Sequence, residues 1–176
     1  EEEERLVKIR FQARLARERE EREQKEKIRL LEQLEKSRVE ARIQRTGQVR
    51  VPEDYSTLDK AVKRLKSVQI LGKGMCCEII LGKGKHSIDR ICLQISSAMN
   101  IVGDPEVAKE EIVVVGGILF HKGIQGNCHL QHLTLRQAKM FGVSGGSSFT
   151  MDDVLVEQCG RHGVWACGTG VVGRCT

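Results

Sequence analysis

Leu133-Thr134-Leu135-Arg136-Gln137-Ala138 returns 21 positions later as Val154-Leu155-Val156-Glu157-Gln158-Cys159. Around this pair, Gly123-Ile124-Gln125-Gly126 is followed by Gly142-Val143-Ser144-Gly145 and then by Gly163-Val164-Trp165-Ala166, at spacings of 19 and 21. About 20 residues is the length of one solenoid turn, in which each turn packs on its neighbours. Strand alternation then sends Leu133 and Leu135 inward, stacked on Val154 and Val156. It also predicts a second inward ladder of Ile124, Val143 and Val164. Gln137 over Gln158 is expected to form an amide ladder at the turn. The small Ala138 and Cys159 follow where a bend leaves little volume.

Upstream of the repeat the same character continues. Val68–Leu71, Glu78–Leu81, Cys92–Ile95, Asn100–Val102 and Ile112–Val115 are short β-prone runs divided by Gly, Asp-Pro and polar turns. The spacing leaves no room for crossover helices, so it predicts stacked strands rather than a βαβ fold. Tyr55 to Leu65 has a helical period instead. Leu58, Ala61, Val62 and Leu65 share one face, and Ser56 or Thr57 is placed to cap it.

The first 50 residues differ from the rest. They hold 15 Lys/Arg and 12 Asp/Glu, against 14 and 12 in the remaining 126, and all but one of the 18 glycines lie in that second part. Glu1 to Arg45 has no Gly or Pro and is built from strong helix formers. Pairs such as Glu18/Arg22, Glu21/Lys25 and Glu32/Lys36 stand in the favourable i, i+4 order, each contributing about 0.2–0.5 kcal/mol when exposed. A long charged helix is expected over 1–47. Its apolar positions lapse across 17–27, so a coiled coil and a lone solvated helix both remain open. The division that follows is 1–47 helix, 48–54 linker, 55–67 capping helix and 68–176 stacked coils. The chain starts without Met and ends at Cys175-Thr176 inside a repeat, so it is expected to be a piece of something longer.

Net charge is +5, with both signs interleaved throughout. Phosphate backbones call for basic residues unopposed on one surface, so no nucleic-acid partner is expected. No apolar run approaches 18 residues and no signal-peptide core is present, so no membrane partner is expected either. Reduced cysteines and a cytoplasmic location follow as expectations.

Tyr55-Ser56-Thr57-Leu58-Asp59-Lys60-Ala61-Val62, Ile79-Ile80-Leu81-Gly82-Lys83-Gly84-Lys85-His86, Leu93-Gln94-Ile95 and Asn100-Ile101-Val102-Gly103-Asp104 together resemble the entry to pectin-lyase-like right-handed parallel β-helices. Residues 123–176 resemble the generic repeats of that fold, especially those of right-handed β-helix proteins of microalgae. The resemblance covers about residues 51–176. It implies a mainly β, right-handed solenoid closed at its N-terminal end by a capping helix. It does not imply one function, since enzymes, adhesins and substrate-reading domains share the fold.

Enzymes of that kind use carboxylates, often with calcium and a basic residue, on an exposed sheet face. The outward positions here pair His132 with Asp153, Thr134 with Leu155 and Arg136 with Glu157, about 4.8 Å apart between coils in register. His132 with Asp152 or Asp153 is the acid/base group that can be assembled. The plainer reading is that opposite charges stacked one above another relieve repulsion between coils. Cys128, His129 and His132, or Cys159, His162 and Cys167, are the sets that carry zinc-ligand chemistry. Neither has the spacing of a structural zinc site, and inward packing of small thiols is the expected role. The two Gly-Lys-Gly stretches, 72–74 and 82–84, lack the spacer and Ser/Thr of a phosphate loop and read as turns. Trp165 is expected on the outer surface above Ser144, where it anchors a protein or a sugar, or lies under a turn or the N-terminal helix.

No cofactor and no metal are expected. The function expected first is a non-enzymatic scaffold that binds a protein, with self-association through residues 1–45 as a further contact. The alternative is a carbohydrate-active lyase, hydrolase or epimerase, which needs carboxylates and aromatics gathered on one face.

Overall fold

The computed structural model describes residues 1–71, 77–167 and 170–175, apart from the side chains of 4, 6–11, 13 and 68–71. The chain divides into two compact units, Glu1–Ala41 and Arg42–Thr176. The first is the body of helix α1 (Glu2–Thr46), which its composition favours throughout. Its described side chains are mostly exposed, and Arg14 pairs with Glu18 one turn on, at 3.1 Å. The last turn of α1 belongs to the second unit. There Ile43 is fully buried, the Gly47 N–H returns to the Ile43 carbonyl at 2.8 Å, and the Arg42 guanidinium pairs with Asp54.

Helix α2 (Leu58–Leu71) begins where Thr57 Oγ1 accepts the Lys60 N–H at 3.4 Å, which is N-cap geometry. Leu58, Ala61, Val62 and Leu65 are buried along one face, as the period requires. The helix runs on through 68–71, where strand structure was expected. Val68 continues the Leu58-Ala61-Leu65 spacing, so the local helical period overrides the β-prone composition. The first Gly-Lys-Gly stretch, 72–74, lies outside the described residues.

All described strands pair in parallel and wind into three ladders over about four turns. The first ladder stacks β1 (Gln48–Val51), β2 (Glu78–Leu81), β4 (Asn100–Gly103), residues 128–131 of β6 (Cys128–Arg136), residues 149–152 of β8 (Phe149–Glu157) and β10 (Gly170–Gly173). The second stacks 84–87 of β3 (Gly84–Ile95), 112–115 of β5 (Ile112–Phe120), 133–136 of β6 and 154–157 of β8. The third stacks 92–95 of β3, 117–120 of β5, β7 (Phe141–Gly145) and β9 (His162–Ala166). Residues 48–51, in the stretch expected as a linker, are therefore the strand β1.

Columns of side chains fill the interior. Val49, Ile79, Ile101, Leu130 and Met151 lie in register and are buried, as are Leu93, Ile118 and Val143. Each such side chain contributes about 1.5–3 kcal/mol through burial. Phe120 and Phe149 stack inside at 5.4 Å. Leu133 pairs with Val154 and Leu135 with Val156, as the offset of 21 predicts. The second expected ladder is corrected. Val164 pairs with Val143 as expected, but Val143 stacks on Ile118, not on Ile124, which sits in the turn after β5. That coil is longer, so its extra residues leave the Gly-Ile-Gln-Gly stretch off the strand.

Two corners bend β6 and β8 from one ladder to the next. His132 and Asp153, both at φ 53°, turn the first ladder into the second, and Gln137 (58°) and Gln158 (54°) leave the second. Left-handed backbone costs a non-glycine residue roughly 1–2 kcal/mol, so packing on both sides must hold it. The two glutamines are exposed and no side-chain bond joins them, which corrects the expected amide ladder. Their left-handed backbone at the corner turns the amides out to water.

Candidate functional site

The corner residues bring the acid/base candidates together. Asp153 Oδ2 lies 2.7 Å from His132 Nδ1, and Asp153 Oδ1 accepts from Lys109 Nζ at 2.5 Å. The other imidazole nitrogen, Nε2, faces the Val107 carbonyl at 2.8 Å. A carboxylate and a carbonyl can only accept, so in this geometry both ring nitrogens are placed to donate, which favours the imidazolium form of His132. Its pKa is accordingly raised by the Asp153 carboxylate and then by the Val107 carbonyl, while Lys109 and then His132 hold Asp153 below the usual carboxylate range. Asp152 stands apart from this group. Its two oxygens take Arg174 Nε at 3.2 Å and Nη2 at 2.7 Å, and that guanidinium lowers its pKa.

Every proton-carrying or accepting atom of the His132–Asp153 pair is therefore engaged inside the protein. What the cluster does in this geometry is fasten the 104–111 loop to the corner. Thr134, expected to face outward, is fully buried beneath that loop, with its Oγ1 donating to the Lys109 carbonyl at 2.9 Å. The loop covers the outward face at that position, so Thr134 is buried although it stays in register with Leu155. Arg136 and Glu157 form the expected ion pair from coil to coil.

The zinc-type residues are scattered. Cys128 points inward and is buried, whereas His129 points outward and bonds Thr150 Oγ1 at 2.6 Å. Cys167 accepts the Trp165 Nε1–H at 3.1 Å, and His162 is stacked among aromatic rings. Among the described residues, no group of three or more His, Cys, Asp and Glu stands where it could hold a metal ion. No described helix is long and apolar enough to cross a membrane.

Trp165 lies over Ser144 in register and is 47% exposed. Its ring packs on Phe141 at 5.7 Å and on His162 at 5.6 Å, and Phe141 stacks on His162 at 5.8 Å with only 12° between the planes. Phe141 also walls a hollow of about 220 Å³, together with Ile91, Cys92, Ile118, Leu119, Met140 and Ser144. Ile91 and Met140 on its rim are 59% and 41% exposed.

Corner length explains the hollow. Between the second and third ladders β3 spends residues 88–91, whereas β5 crosses with Gly116 alone. The next coil again takes a long path, 137–140, before β7. The short coil is thus recessed between two longer ones. Only glycine suits the crossing: Gly116 has φ 129°, and a Cβ on Gly117 would fall 2.3 Å from the Phe141 carbonyl oxygen. Gly116-Gly117 was the sequence signal for this site, and it becomes readable only once the coils are aligned.

Compared with protein-family models, curated proteins and solved structures, the chain has no significant match in any of the three. Fold and site together define it by class, as a parallel β-solenoid with an apolar, aromatic-rimmed hollow on its third ladder.

Proposed function

We propose that this chain is a non-enzymatic interaction module of the right-handed, pectin-lyase-like kind, and that it binds a protein segment through the hollow beside Phe141. The observation that carries the reading is a recess lined mainly by apolar side chains, with the large apolar Ile91 and Met140 exposed on it and the exposed Trp165 packed on its wall residue Phe141. Exposed apolar surface rimmed by polar residues is the usual mark of a contact site, and aromatic anchors dominate such contacts. A recess of about 220 Å³ suits one large aliphatic or aromatic side chain of the partner. The engaged state of His132 and Asp153 favours this reading over the carbohydrate-active enzyme, which needs a free acid and base.

The pectin-lyase-like and microalgal likeness rests on the motif residues around Ile79, Leu93 and Asn100. Right-handed winding is what the strong preference of parallel crossovers supports. A cytoplasmic setting agrees with the described cysteines being free. Self-association through residues 1–45 rests on Ile28, Leu31 and Leu34, exposed three apart on α1, and sedimentation showing only monomer would remove it.

The test is selection from a displayed random-peptide library on the 176-residue chain. Peptides with a single large apolar anchor should be enriched, and Ser144→Arg, which fills the hollow, should abolish their binding. Equal enrichment on the Ser144→Arg chain, or turnover of an oligosaccharide, would contradict the proposal.

A further inference from the structure

A second recess, of about 420 Å³, lies between α2 and the outer face of β3. We propose that it is a binding site for a small phosphomonoester. The inference does not depend on the protein-binding reading, since the two recesses share only the Cys92 wall.

The helix supplies one side. Asp59, Lys63 and Lys66 follow at i, i+4 and i+7, so they form one stripe along α2 that lines the recess. The long β3 corner supplies the other. Its excursion, 88–91, carries Arg90 into the recess, and the Asp89 N–H donates to Asp59 Oδ2 at 3.4 Å, fastening the corner to the helix. Bulged corners of this kind commonly re-aim a side chain beside a functional site. Gln94 and His121 also line the recess.

The charge balance selects the ligand. Lys63, Lys66 and Arg90 bring three cations and Asp59 one carboxylate, and none of the three cations has an ion-pair partner among the described residues. A dianion with tetrahedral oxygens uses both the flat guanidinium fork and the point charges of lysine. The volume exceeds what bare phosphate needs and falls within the range of small-molecule sites, about 300–1,000 Å³. A phosphorylated small molecule matches both size and charge.

Calorimetric titration of the 176-residue chain with glucose 6-phosphate, inorganic phosphate and glucose tests this. Glucose 6-phosphate should bind saturably, phosphate more weakly and glucose not at all. Arg90→Gln and Lys66→Gln should each weaken binding by at least about ten-fold, the worth of one charge-assisted bond. Asp59→Asn should tighten it. Melting temperatures confirm folding, and Lys66→Gln, an exposed helix substitution, carries the test if Arg90→Gln misfolds. No binding above that of glucose, or an affinity unchanged in the folded variants, would overturn the proposal.

Discussion

Gly103 and His132 meet so closely that a Cβ on residue 103 would lie 1.8 Å from the His132 carbonyl oxygen. The left-handed corner at 132 turns that carbonyl toward the preceding coil, and the first ladder stays closed because β4 ends in glycine. Gly103→Ala should therefore force the coils apart and destabilise the chain by about 2–4 kcal/mol. Urea denaturation monitored by circular dichroism measures it, and a change under about 0.5 kcal/mol would show that the corner relaxes freely.

The interior columns make a second prediction. Leu135 is fully buried, whereas Leu155, next to its partner Val156 in the following coil, is half-buried on the other face. Leu135→Ala should cost about 2–5 kcal/mol and Leu155→Ala clearly less. Equal losses in the same denaturation assay would mean that the alternation has been assigned to the wrong face.

The corner cluster sets a pH dependence. His132 has its folded pKa raised above the ordinary 6.5, so its contribution to stability is complete below that value and is lost as pH rises through the folded pKa. Asp153 has its folded pKa lowered below 3.8, so its contribution is present above that value and is lost as pH falls through the folded pKa. The clamp is strongest between the two ordinary values. His132→Gln should flatten the loss of stability on the alkaline side of 6.5, seen as the difference in urea midpoint between the two chains across pH. An unchanged slope would show that His132 is not the group responsible.

How much of this could be read beforehand differs from coil to coil. The 133–138 and 154–159 stretches lie on coils of equal length, so an offset of 21 gave both the register and the meeting of His132 with Asp153. The match of Ile124 to Val143 failed for the opposite reason. From Ile118 to Val143 the coil runs longer, and a glycine spacing in a loop resembled one in a strand. The buried Thr134 depends on a loop from an earlier coil, which no local pattern reveals. The hollow is a difference in corner length between neighbours, visible only when Gly116-Gly117 is set beside 88–91 and 137–140.

Trp165 is the single tryptophan of the chain, so its emission reports on the face at issue without labelling. At 47% exposure it should be readily quenched by acrylamide in the free protein. Titration with a peptide that carries one large apolar anchor and was selected on this chain should shift the emission to the blue, saturate, and protect Trp165 from the quencher. The Ser144→Arg chain should show none of these changes. A selected peptide that binds while leaving both emission and quenching unaltered would place its contact elsewhere and contradict the assignment of the hollow as the binding site.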